Sequence, residues 1–137
     1  MITSILFDLG DTLVHLDKPV NDVIRARLRA FHKALLVQGL DIGYTNLSDV
    51  YEAVHSEHSM FSAETGIETT TNRILSEVLL RLGITGFERR TLESLVQSFF
   101  EPEIRSWVLF DDAVPILSSL RHQNFHLGLV SNARCHW

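Results

Sequence analysis

One stretch limits what this chain can become: Ile5-Leu6-Phe7-Asp8-Leu9-Gly10-Asp11-Thr12-Leu13-Val14. Three large apolar residues run into an acid, and a Gly-Asp-Thr corner follows at once. A short apolar run bounded by turn formers is the pattern of a strand buried in a parallel sheet. Gly10 and Asp11 are turn formers, so the spacing predicts a strand ending beside Asp8 and a bend immediately after it. Ligands of open α/β sheets bind just beyond the carboxyl ends of the strands, which makes Asp8 the first candidate for chemistry.

A second such run lies far downstream, where Phe125-His126-Leu127-Gly128-Leu129-Val130 leads into Ser131-Asn132. Between the two, the apolar spacing is helical. Val20, Val23, Ile24, Leu28, Phe31 and Leu35 predict a helix that starts near Pro19 and Asn21 and stops at Gly39. Leu40 to Thr45 reads as a connection, and a second helix is expected from Leu47 to about Phe61. After a loop from Glu64, the run Thr69-Thr70-Thr71 suits the cap of a third helix, which carries Ile74, Leu75, Val78, Leu79 and Leu82 and ends at Gly83. A fourth is predicted from Thr91 to Phe100, with Pro102 breaking it. Asp111-Asp112 then suit the cap of a helix with Pro115 in its first turn, and Gln123-Asn124 the turn out of it.

A strand, a helical insertion, a crossover helix and a second strand form one extended βαβ unit, and the right-handed crossover rule makes the two strands parallel. The expected class is α/β: an incomplete Rossmann-like parallel core of residues 1–16 and 105–137, with a helical cap of residues 17–104 inserted after the first strand.

Composition removes several function classes. The chain has 137 residues, 45% hydrophobic and 21% charged, which is a globular composition rather than a disordered one. A net charge of −5 gives no basic footprint for nucleic acid or an anionic membrane surface. The single cysteine, Cys135, excludes an intrachain disulfide. The first residues lack a basic signal-peptide start, and no apolar run approaches the ~20 residues of a membrane span. The expected location is the cytoplasm. Oligomeric state is not readable.

Asp8 and Ser131 each stand at the carboxyl end of an expected strand. If the strands are neighbours, a carboxylate and a hydroxyl converge on one sheet edge. A carboxylate there can attack phosphorus and form a covalent intermediate, while Ser131 and backbone amides hold phosphate oxygens. Repulsion between carboxylate and phosphate calls for a hard cation such as Mg²⁺.

These residues carry a resemblance. Phe7-Asp8-Leu9-Gly10-Asp11-Thr12-Leu13 resembles the first motif of the haloacid dehalogenase-like hydrolase superfamily, and Leu129-Val130-Ser131-Asn132 resembles its second. The helices between are similar to the cap that many members insert, and Leu109 to Pro115 to the segment that re-enters the core. The resemblance implies Asp8 as nucleophile and metal ligand, the Gly10 carbonyl as a second ligand to Mg²⁺, and Ser131 with Asn132 as phosphate-binding residues. It implies an acid/base carboxylate where Gly10 stands. Asp11, one residue later, is a catalytic candidate for which a turn role is favoured. The lysine and acidic residues that the family carries after its second motif are expected to be missing, because Trp137 follows Ser131 by only six residues. The chain therefore reads as the front part of such a fold.

Three functions follow as expectations. The first is a Mg²⁺-dependent phosphatase of small phosphorylated metabolites, truncated and with an incomplete site. The second is a metal-independent dehalogenase, favoured by the missing side chain at Gly10. The third is an inactive fragment acting as a binding module. Other pairings have plainer readings. His55 and His58 suit an exposed helix face better than a metal, Cys135-His136 a frayed terminus better than a thiol–base pair, and Arg25, Arg27, Arg29 and Lys33 a solvated side. Phe99, Phe100, Trp107 and Phe110 suit packing.

Overall fold

The computed structural model describes residues 2–131, so Asn132, Cys135 and His136 lie outside the described residues. In chain order the elements are β1 (Ser4–Asp8), β2 (Val14–Leu16), α1 (Val20–Val37), α2 (Tyr44–Thr65), α3 (Thr71–Arg81), α4 (Arg89–Ile104), β3 (Trp107–Leu109), α5 (Ala113–His122) and β4 (His126–Val130). Helix ends follow local chemistry. Gly39, Gly66 and Gly83 take left-handed backbone just past α1, α2 and α3. The Thr70 hydroxyl accepts the Arg73 N–H at the start of α3.

Several expectations need correction. α2 starts at Tyr44 inside the expected connection and runs to Thr65. Pro102 does not break α4, which continues to Ile104. It sits in the last turn, where the missing N–H costs one bond and the chain is about to leave the helix. Asp112 begins α5 in right-handed helical geometry and makes no side-chain cap bond. The strands β2 and β3 were not expected. Each has three residues, too few to express an alternating period, and they form only through each other, with Val14 opposite Leu109 and Leu16 opposite Trp107.

The expected parallel pairing is present. β1 and β4 align from Ser4 opposite His126 to Asp8 opposite Val130. A Cβ at Gly128 would stand 2.5 Å from Leu6 Cδ2, so Leu6 lies over the bare glycine backbone of its neighbour. α5 supplies Leu117 beside Phe7 and Leu127, with a space of about 350 Å³ between them. Leu6 and Val130 remain 69% and 58% exposed.

The buried core sits elsewhere. Its cluster is drawn entirely from α1 to α4, from Leu28 to Phe100. Phe99 is central, with the Phe31 ring at 6.0 Å and near perpendicular, Tyr51 at 5.7 Å and Phe100 at 5.4 Å. Arg27 is not on a solvated side. Its guanidinium lies 4.1 Å from the Phe99 centroid and pairs with Glu103 at 2.7 Å, joining α1 to α4. Among the described residues no helix is long and apolar enough to cross a membrane.

Stability is therefore expected to reside in the helices. Leu75→Ala, at a fully buried position, is expected to cost about 2–5 kcal/mol. Leu6→Ala is expected to change stability by about 0.5 kcal/mol or less, as at an exposed position. Denaturant unfolding followed at 222 nm distinguishes the two.

Candidate active-site edge

The turn after β1 is built on one acceptor. The Leu9 carbonyl receives the N–H groups of Thr12, Leu13 and Val14 at 3.4, 2.9 and 3.1 Å, and the Asp11 N–H closes back onto the Val14 carbonyl at 2.7 Å. The turn halts the strand with Asp8 at its end. Since the three closing amides converge on Leu9, none of them uses the Gly10 carbonyl one residue on.

The register then fixes the partner. Asp8 lies opposite Val130, and Ser131 follows Val130 directly, so Asp8 and Ser131 terminate adjacent strands at one end of the sheet. Both are exposed. Two of the sequence candidates, Asp8 and Ser131, thus meet at one edge.

Asp11 sits at φ +55°, in the left-handed region. Aspartate tolerates that conformation better than most residues because its short side chain can bond locally. This geometry accords with a turn role. The approach of Trp107 is a feature that the spacing did not reveal. A Cβ at Gly10 would stand 3.9 Å from the indole Cη2, so β3 brings an aromatic ring against the turn beside Asp8. Phe110 meets the His15 ring at 4.6 Å between centroids. The Phe110 N–H bonds the Leu13 carbonyl at 3.0 Å, and the buried Ser106 accepts the Asp17 N–H on its carbonyl at 2.8 Å. The outgoing and returning chains are thus stitched beside the turn. The sequence signal for this was the aromatic pair flanking Val108-Leu109, read only as packing.

Among the described residues no three His, Cys, Asp or Glu side chains gather as a metal site. His55 stacks on Tyr51 at 5.6 Å, and His58 Nε2 donates to Glu77 Oε2 at 2.7 Å. His58 is therefore half-buried in an interhelical pair, and not on a free helix face. Arg81 joins the same group, with Nη1 2.9 Å from Glu57 Oε1 and a second contact to Glu77. Glu77 is held below its ordinary 4.5, first by the His58 hydrogen bond and then by Arg81. Glu57 is lowered by its hydrogen bond from Arg81, whose own guanidinium is raised by the two carboxylates.

No protein-family model and no curated protein matches this chain. This chain is similar to several solved structures. A Haemophilus somnus 129PT protein carried as a predicted phosphoglycolate phosphatase shares 16% identity over 96% of this chain and 52% of its own, at TM-score 0.41. A Bacteroides fragilis protein bearing the name of a haloacid dehalogenase-like hydrolase shares 23% over 94% and 50%, at 0.36. A hydrolase from Pseudomonas syringae shares 17% over 93% and 48%, at 0.37. The chain spans about half the length of each.

Two expectations follow. Asp11→Gly is expected to fold at least as stably as the parent, whereas Asp11→Val loses about 1–2 kcal/mol by forcing a branched side chain into left-handed backbone. The second concerns pH. Glu57 and Glu77 titrate lower in the folded chain than the ordinary 4.5, so their stabilisation is complete above that value and is lost as pH falls through the folded values. Below about pH 4.5 the thermal midpoint is expected to drop more steeply in the parent than in Arg81→Met.

Proposed function

We propose that this chain carries the nucleophile half of a hydrolase site of the haloacid dehalogenase-like kind, acting on small phosphorylated metabolites. The observation that supports this reading is the register of β1 and β4, with Asp8 opposite Val130 and Ser131 the next residue. A strand-end carboxylate and a strand-end hydroxyl are what phosphoryl transfer to aspartate requires.

In this proposal a carboxylate oxygen of Asp8 attacks phosphorus. The bond to the leaving oxygen breaks, and water later cleaves the aspartyl-phosphate. The Ser131 hydroxyl donates to a non-bridging phosphate oxygen and holds it in line. Gly10 offers no proton to the leaving group. Asp11 belongs to the turn, so the leaving oxygen departs with little help from a protein acid.

The donor set suits Mg²⁺, which takes one or two carboxylates and keeps water and phosphate oxygens as its other ligands. Asp8 and the Gly10 carbonyl, the latter free of the turn's closing bonds, would hold it. When bound it would neutralise phosphate charge. The helical unit, residues 17–104, would serve as a lid over the edge.

A second reading is favoured by one observation. Gly10 lacks an acid and Trp107 lies 3.9 Å from where its Cβ would be, an arrangement suited to a halide that leaves without a proton. In that case Asp8 attacks carbon, the carbon–halogen bond breaks, and water hydrolyses the ester.

The test is phosphate release from p-nitrophenyl phosphate with Mg²⁺ or EDTA, beside halide release from 2-haloacids. Mg²⁺-dependent phosphate release is expected, and Asp8→Asn is expected to lower it by about 10³-fold or more with the circular dichroism spectrum unchanged. Halide release without metal would replace the first reading by the second. Turnover that survives Asp8→Asn would sink both.

A further inference from the structure

We infer that a groove along α4 binds a small amphiphile with a carboxylate head and a hydrocarbon chain. The groove encloses about 520 Å³, within the usual range for small-molecule sites. It is lined by Asn72 of α3 and by a stripe of α4 running from Arg90 to Ile104. None of its lining residues belongs to the edge that holds Asp8 and Ser131.

The order of residues along the helix gives the order of chemistry along the groove. At 1.5 Å per residue, Arg90 and Ile104 lie roughly 21 Å apart. Along α4, Arg90 and Ser94 stand at one end, Gln97 is in the middle, and Phe100 and Ile104 complete the other. The groove is thus polar at its start and apolar at its finish, with Val96 in the wall.

Charge selects the head group. The Arg90 side chain forms no ion pair or hydrogen bond among the described residues. The acid nearest it in the lining, Glu93, is engaged by Arg89 at 2.8 Å, so its charge is offset from outside the groove. An anion fits that end, and the Ser94 hydroxyl and the Gln97 amide offer further hydrogen bonds to a carboxylate. The tail end asks for hydrocarbon. Ile104 is 66% exposed, and Phe100 beside it belongs to the core cluster, so a chain laid there covers apolar surface now facing water. A polar anion such as acetate leaves that end empty, and a cationic amphiphile meets Arg90.

The test is calorimetric titration of the intact chain with sodium decanoate below its micelle concentration, beside decanol, decyltrimethylammonium and acetate. Saturable binding of decanoate at one site per chain is expected, with decanol weaker by about tenfold or more, the scale of one charge-assisted hydrogen bond. Decyltrimethylammonium and acetate are expected not to saturate. Arg90→Met is expected to weaken decanoate about tenfold and leave decanol unchanged, and Ile104→Asn to weaken both, with helical content preserved by circular dichroism. Equal binding of decanoate and decyltrimethylammonium would overturn the inference, since it reports adsorption on exposed apolar surface such as Leu6 and Val130. Unchanged decanoate affinity in Arg90→Met would overturn it as well, and so would the absence of binding.

Discussion

The packing of α1 against α4 is the contact on which the rest of the chain depends. The polypeptide leaves the sheet edge after Leu16 and must be back by Trp107 for β2 and β3 to pair. Closing a loop of that length carries an entropic cost that grows only slowly with size, but something must hold the ends. Phe31 against Phe99, Arg27 over Phe99 and the Arg27–Glu103 pair do so. With α1 and α4 side by side, the outgoing and returning chains emerge together. The three-residue strands can then form, and the turn after Asp8 acquires Trp107 and Phe110 as neighbours.

This arrangement separates the buried core from the candidate site. The buried apolar cluster belongs to four helices, whereas the parallel pair that ends in Asp8 and Ser131 keeps large apolar side chains in water. Parallel sheets are ordinarily covered on both faces, and two strands alone are marginal. The site edge is therefore the less protected part of the molecule, and its geometry rests on the register with β4 and on the stitching of β2 to β3.

Most of the architecture was legible because it is periodic. Helical spacing marked four helices in the insertion and one after it, Gly39 and Gly83 marked two of their ends, and two apolar runs marked strands whose parallel pairing follows from handedness. What escaped notice arises from partners distant in sequence. Arg27 reads as a surface residue until Phe99 and Glu103 arrive 72 and 76 residues later to enclose it. β2 and β3 are too short for a pattern. Pro102 looked like a stop because its place in the last turn, where one missing bond matters little, is not written in its neighbours. At the site, Asp8 and Ser131 were readable as strand ends, and the doubtful standing of Asp11 agrees with its left-handed backbone. The ring of Trp107 against Gly10 was not readable, because it depends on where the return strand lands.

Leu6 and Gly128 carry a consequence of their own. An exposed leucine and a glycine within a strand each look replaceable when taken singly, yet one lies on the other at 2.5 Å from the missing Cβ. A side chain at 128 is resisted only while Leu6 keeps its rotamer there, and a smaller residue at 6 lifts the restriction. The tolerance of either position is thus a property of the pair. Over evolutionary time they would drift as an epistatic couple, the first change setting which second change is neutral.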